Sequence, residues 1–560
     1  MAEAKTLYTR IWQSLQKDCS DAKNCFLPLS SQRDILTPDL IESDLSQVKD
    51  HAFENEREIA EYINSSSKQL YAILVMLNKQ ATITDFMRQG IKDEHLPFQL
   101  RAGQTASFGI PPKNYVGNLS WPERWSESDI HNFKTYQWYM IAPKFQEGAD
   151  SIPTHYSLQD EMILPWLSSE LGKNHEGGHS TVWKVKIHES HHAFREQNGD
   201  YFALKELHSR IKPIFEDELE NLRKLKPHHN LVNLLAAFSR KSTFYFLFPW
   251  ANGGNLKDFW EEFTSPVFED WVHWVAQQCA GLADGLAEIH DVKPVASGIS
   301  EAEVFTDDGK NFGRHGDIKP ENVLVFKKDP ADGGNVDKGT LKLCDFGLTV
   351  FHSLRSRSTD RASAQPQSLT YNAPEGDADR TISRRYDTWC LGCLYLELIT
   401  WLLRGKTGLE TFGANRREEH GVRPNVTSDQ FFKLHSRYNN TYKTKKAVVN
   451  WIQELQALET CSDFIYDFLD YVRDHMLQSN QSNRDIGHAV RDRFQALYKK
   501  CDNEGYLRGK NRRTSGHGGS STEPAPGLAR SRSRRFKRSI ESDEQYDIGP
   551  PSHGKRNKGS

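Results

Sequence analysis

Between Glu58 and Lys79, apolar side chains fall at Ile59, Tyr62, Ile63, Leu70, Ile73, Leu74 and Leu77, near the period of an amphipathic helix. Trp121, Trp125, Phe133, Trp138 and Tyr139 follow among polar loops, with no catalytic constellation around them. Residues 1–160 therefore read as a mostly helical region suited to packing or interaction. From about Glu161 the period changes. Thr181–Ile187 and Tyr201–Lys205 alternate apolar and polar positions, which predicts strands. A charged helix is predicted over Phe215–Leu225, a strand over Phe244–Phe248, and mostly helix after Asn255. Val323–Phe326 and Leu341–Cys344 read as paired strands joined by a polar loop. Beyond about Asp502, Gly, Ser, Arg and Pro dominate. Such a segment cannot bury enough apolar surface to offset its chain entropy. The expected organisation is a helical region over 1–160, a strand-then-helix domain over 161–501, and a basic disordered tail over 502–560.

Composition narrows the class. Apolar residues make up 37% and charged residues 26% of the 560, as in a soluble globular protein. The net charge is −3, yet residues 508–560 hold 13 Lys/Arg against 5 Asp/Glu, so the body is acidic and the tail basic. Eight cysteines without regular spacing give no disulfide framework. The opening MAEAKTLYTR lacks an apolar signal core. The longest apolar runs, near Leu70–Leu77 and Leu391–Leu403, fall short of the ~20 residues of a membrane span. An intracellular, cytoplasmic and nuclear setting with no membrane partner is expected.

The chemistry concentrates in His315-Gly316-Asp317-Ile318-Lys319-Pro320-Glu321-Asn322, followed by Asp345-Phe346-Gly347. An Asp and an Asn five positions apart, then a second Asp after a strand pair, suit phosphoryl transfer from Mg-ATP. Upstream lie Gly177 and Gly178 in a Gly-containing loop ending at Val182, then Ala203-Leu204-Lys205. Small residues let backbone N–H groups approach phosphate closely. Three acids, Glu216, Glu218 and Glu220, compete as partner for Lys205. Phe248-Pro249-Trp250-Ala251 leads to Gly253-Gly254-Asn255. Downstream stand Ala373-Pro374-Glu375, Asp387 in Asp-x-Trp-x-x-Gly, and Arg484.

This ordered set resembles the eukaryotic-type Ser/Thr protein kinase catalytic domain, in the variant without Arg before the catalytic Asp. The layout is similar to kinase-domain proteins of filamentous fungi. The resemblance implies an α+β, bilobal fold with a β-rich small lobe and a helical large lobe. It implies ATP and Mg²⁺ as cofactors and a protein Ser/Thr hydroxyl as acceptor. Asp317 would orient the acceptor hydroxyl and Lys319 would neutralise the transferred phosphoryl group. Asn322 and Asp345 would hold metal. Lys205 would contact the α- and β-phosphates, with Glu218 as its best-aligned partner. Gly177 and Gly178 would approach phosphate, Val182 would cap the adenine ring, and Ala203 would belong to the nucleotide site. Phe248 would guard the back of the pocket. Pro249, Trp250 and Ala251 would line the hinge, Pro249 offering only its carbonyl. Asn255 would face the ribose. Arg484 would pair with Glu375, and Asp387 would brace the catalytic loop. Lys319 and Ser368 favour Ser/Thr over Tyr.

Gly316 replaces the Arg that pairs with a phosphorylated activation segment and offers no side chain for that charge-assisted contact. The expectation is activity independent of that phosphate. His-Gly-Asp also occurs in small-molecule kinases, which makes a small-molecule phosphotransferase one alternative. The incomplete Gly-rich loop makes a pseudokinase scaffold another. Cys390-x-x-Cys393 lacks a second pair at zinc spacing and reads as packing. His188, His191 and His192 read as loop residues rather than ligands. Cys344 adjoins the expected nucleotide pocket. Val292–Arg314 and Leu402–Asn450 exceed a minimal kinase. The run Arg530–Arg538 fits either an import-receptor signal or a solvated tail, and nucleic acid is the disfavoured partner.

Overall fold

The computed structural model describes residues 6–19, 24–48, 53–100, 108–109, 125–148, 152–176, 180–194, 200–292, 306–307, 310–311, 313–328, 338–345, 369–377, 382–419, 428–436 and 441–510.

The N-terminal region is mostly helical, with α1 (Leu7–Ser14), α2 (Glu56–Ser66), α3 (Lys68–Met76) and α4 (Glu127–Met140) among its helices. The segment expected as one amphipathic helix is two. The chain breaks at Ser67, whose backbone leaves the helical region (φ −144°, ψ 27°). Every residue from Leu70 to Met76 in α3 is buried, because α3 runs through the middle of this region's core. Periodicity vanishes when a helix has neighbours on all sides.

The small lobe is a six-stranded sheet: β1 (Thr154–Ser157), β2 (Trp166–Glu176), β3 (Ser180–Ile187), β4 (Tyr201–Leu207), β5 (Ala236–Arg240) and β6 (Thr243–Pro249). Its order is β1-β5-β6-β4-β3-β2, antiparallel except for the parallel β1–β5 edge. Strand β1 comes from before residue 161, so the sheet crosses the boundary expected from composition. Its short mixed-polarity sequence, Thr-His-Tyr-Ser, carries little pattern of its own. Central strand β4 sets Lys205 opposite Val182 on one side and Phe246 on the other. Helix α5 (Lys212–Lys224) buries Phe215, Glu218, Leu219 and Leu222, spaced three, four and seven apart as one helical face requires.

The large lobe packs around α6 (Phe268–Asp291) and α7 (Arg385–Glu418). Helix α7 kinks at Gly405, whose φ of +64° suits glycine alone without strain. Cys390 and Cys393 are buried in its core face. Strands β7 (Val323–Phe326) and β8 (Thr340–Leu343) pair Val323 with Leu343, and the N–H of Cys344 donates to the carbonyl of Asn322 at 3.0 Å. That register closes the 23-residue gap between Asn322 and Asp345. Ordered chain continues past residue 502. A short helix, Glu504–Arg508, buries Leu507 completely, and the N–H of Asp463 donates to Gly509. One buried leucine in a polar stretch is too weak a signal for composition to register.

Candidate active site

The catalytic-loop stretch hangs from one buried carboxylate. Asp387, at the start of α7, accepts the N–H of His315 at 2.8 Å and of Gly316 at 2.7 Å. His290, on the buried face of α6, lies 2.9 Å from the same carboxylate. Burial alone would raise the Asp387 pKa, but the His290 hydrogen bond and nearby positive groups outweigh it and hold it below the usual range. The sequence reading missed His290. A histidine amid apolar helix positions was its only signal. Gly316 has φ +76°, in the left-handed region.

Asp317 follows directly. Lys319 Nζ donates to its Oδ2 at 2.7 Å, and Asn322 Nδ2 donates to the same oxygen at 2.9 Å and to the Asp317 carbonyl at 2.8 Å. Burial disfavours the Lys319 charge, but Asp317 overcomes it and raises the lysine's pKa. With the amide nitrogen of Asn322 turned to Asp317, its Oδ1 points elsewhere.

Across the cleft, Lys205 Nζ donates to Asp345 Oδ1 at 2.6 Å and lies 3.6 Å from Glu218 Oε1. Glu216 pairs with Lys212 and Glu220 with Arg223 on exposed positions, so Glu218 alone of the three acids faces Lys205. Burial opposes the Lys205 charge, yet Asp345 and Glu218 outweigh it, and its pKa rises. Lys205 in turn holds Asp345 below the ordinary carboxylate range. Glu218 fares differently. Burial pushes its pKa up to about 7 against the attraction of Lys205. The cause is geometric: Asp345 takes the shorter contact, and Glu218 Oε2 is buried without a hydrogen-bond partner.

The expected hinge lies beside this cluster. Ala203 sits opposite Phe248 in the sheet, and Pro249 opposite Phe202. Ala251 packs with Val232 and Phe326 against Phe248, Leu324 and Cys344, an apolar wall where the resemblance expects adenine. Burial raises the Cys344 thiol well above its usual pKa, so it is a packing group here. The backbone N–H of Trp250 donates to the carbonyl of Tyr201, and Lys184 Nζ lies 5.6 Å from the Trp250 ring centroid. Asn255 caps a helix at the mouth of the large lobe. Its Oδ1 accepts the N–H groups of Lys257 and Asp258 at 2.9 and 3.0 Å, and its Nδ2 donates to Asp258, capping the helix Leu256–Glu262. One N–H of the amide nitrogen remains beyond its bond to Asp258. Gly177, Gly178 and the segment 346–368, with Ser368, lie outside the described residues.

Arg484 makes a bidentate pair with Glu375 at 2.7 and 2.9 Å, fully buried. It ties the end of the activation segment to the large lobe.

The donor set fits Mg²⁺. Asp345 keeps an oxygen beyond its contact with Lys205, Asn322 keeps Oδ1, and both are hard oxygen ligands. Among the described residues no three His, Cys, Asp or Glu side chains gather at metal-ligand distances. Mg²⁺ retains waters and takes phosphate oxygens, so an incomplete protein shell suits it.

A six-stranded sheet whose Lys205 pairs with Glu218 of α5, set over a helical lobe that gathers Asp317, Lys319, Asn322 and Asp345, is the bilobal protein-kinase fold. The family model of the protein kinase domain matches residues 186–484, more than half of the chain, and the chain belongs to that family. Relatives include human cyclin-dependent kinase-like 4, 28% identical over 239 residues, covering 41% of this chain and 50% of that protein. Cyclin-dependent kinase-like 1 of Caenorhabditis elegans is 26% identical over 238 residues, 41% and 54% of the two chains. A "probable serine/threonine-protein kinase" of Dictyostelium discoideum is 25% identical over 247 residues, 40% of this chain and 19% of the other. The matched segment spans about half the length of the first two relatives. Among the described residues no helix is long and apolar enough to cross a membrane.

Proposed function

We propose that this chain is an active Ser/Thr protein kinase that transfers the γ-phosphate of Mg-ATP to protein hydroxyls. The observation that carries the reading is the undivided set of working groups around one cleft: Asp317 with Lys319 and Asn322, facing Asp345 with Lys205 and Glu218. Bound Mg²⁺ would neutralise charge developing on the phosphates. Asp317 Oδ2 takes both donors, which supports Oδ1 as the acceptor of the substrate hydroxyl proton. Lys319, held beside Asp317, supplies positive charge to the transferred group. Lys205, anchored by Glu218, grips the nucleotide phosphates. Lys319 and the name of the Dictyostelium discoideum relative support a Ser/Thr acceptor.

The test is Mg²⁺-dependent phosphate transfer from ATP to a degenerate Ser/Thr/Tyr peptide library, beside a panel of small-molecule alcohols. Transfer to Ser and Thr peptides, reduced about 10²–10⁴-fold by Asp317→Ala, is the expected result. Transfer no greater than in Asp317→Ala would point to a scaffold. Transfer to small molecules alone would point to a small-molecule phosphotransferase. The basic run Arg530–Arg538 supports nuclear import of the chain. Imaging after deletion of 508–560 tests that, and an unchanged distribution removes it.

A further inference from the structure

Strand β1 does more than extend the sheet. It lies parallel to β5, with His155 opposite Ala237. The His155 ring sits 5.1 Å from the ring of Phe215 on α5. Phe215 is buried and stacks on Phe244 at 4.5 Å. One residue before β1, the Pro153 carbonyl accepts the Nε–H of Arg223, also on α5, at 3.0 Å. Helix α5 is thus held at two points about two turns apart, Phe215 and Arg223, and Glu218 lies between them along the helix.

The other end of this segment is fixed to the N-terminal region. The Tyr156 ring packs on Phe145 at 5.4 Å, and Phe145 exchanges backbone hydrogen bonds with His191 and Ala193. His191 Nδ1 lies 3.0 Å from the carbonyl of Pro143, and its Nε2 accepts the N–H of Leu29 at 3.2 Å. The N-terminal region therefore reaches α5 through a continuous chain of contacts.

We propose that residues 153–157 are a clamp on α5, with His155 and Pro153 as positioning groups that hold Glu218 against Lys205 and so couple the N-terminal region to nucleotide binding. The nucleotide half rests on the kinase reading above; the mechanical half does not. The working part of His155 is its ring face, since its buried Nε2 has no hydrogen-bond partner. Phe at this position should therefore serve as well as His. A mere edge strand would make a different prediction: its loss would loosen β5 and β6 along with α5.

The test uses the full chain with His155→Ala, His155→Phe and Arg223→Ala. Arg223 is partly exposed, so its variant should fold even where His155→Ala fails. Backbone amide exchange over 212–224 should quicken about ten-fold in His155→Ala and Arg223→Ala, with 236–249 unchanged and His155→Phe like wild type. The KM for ATP should rise about ten-fold while the KM for peptide holds. Unchanged exchange over 212–224, or equal quickening across the whole sheet, overturns the clamp. Quickened exchange confined to 212–224 in a chain without phosphate transfer keeps the clamp and removes the kinase reading. Transfer with unmoved exchange does the reverse.

Discussion

The carboxylate of Asp387 and the backbone of Gly316 meet at 2.7 Å across 71 positions of sequence. The second oxygen of Asp387 takes His315, so one side chain sets the entry to the catalytic loop. Removing a buried, hydrogen-bonded charge strands its partners. Asp387→Ala should lower unfolding stability by about 3–5 kcal/mol, measured in urea. A loss under 1 kcal/mol would show that the loop holds itself.

Gly316 works through its backbone. A side chain at φ +76° is strained, so Gly316→Ala should lose about 1 kcal/mol. Having no side chain, Gly316 cannot anchor a phosphate. Replacing Ser353, Ser356, Ser358, Thr359 and Ser363 together by Ala should leave phosphate transfer within about three-fold of wild type, because no charge-assisted pair is lost. A fall to background would refute this.

Glu218 makes the site sensitive to pH near neutrality. Its folded pKa is about 7 against an ordinary 4.5, so the folded chain carries the extra proton between those values. That contribution to stability is present at low pH and is lost as pH rises through 7. Glu218→Gln should therefore gain stability over wild type at pH 8, with the gain vanishing toward pH 4.5. The functional sign is opposite, since the carboxylate form is the one that grips Lys205. ATP affinity should rise with pH through about 7 in wild type, and calorimetry of Glu218→Gln should show no such step.

The Glu375–Arg484 pair should behave as a unit. Arg484→Ala leaves Glu375 buried and uncompensated and should cost about 3–5 kcal/mol. Arg484→Met with Glu375→Gln should lose less than Arg484→Ala alone. A double variant as unstable as the sum of the single ones would mean that the pairing contributes nothing.

His191 gives a second pH signature, of opposite sign to Glu218. Burial depresses its pKa to about 4 from 6.5. The unfolded chain therefore binds more protons between those values, and stability falls as pH drops from 6.5 toward 4. Protonating Nε2 also removes the acceptor for Leu29. Thermal unfolding from pH 7 to 5 should show a smaller decline in His191→Gln than in wild type.

Much of this protein is written locally. Strands β3 and β4 follow from alternation, β6 from a continuous apolar run that is buried on both faces, and helix α5 from a charged helical period. The loop residues Asp317, Lys319 and Asn322 are legible because their chemistry needs fixed types at fixed short spacing. Other features lie beyond local pattern. The choice of Glu218 over Glu216 and Glu220 depends on which face of α5 meets β4. Asn255 as a helix cap, His290 beside Asp387, and β1 at the sheet edge depend on partners tens of residues away. The splitting of 58–79 into α2 and α3 depends on a core that surrounds α3. The sequence by itself determined the secondary-structure classes by periodicity, and the fold class and chemical groups through the resemblance its ordered motifs carry. The resemblance favoured Glu218, but only the tertiary structure showed that Glu216 and Glu220 turn to other partners and what holds their helix, since burial and hydrogen-bond pairing are properties of neighbours in space.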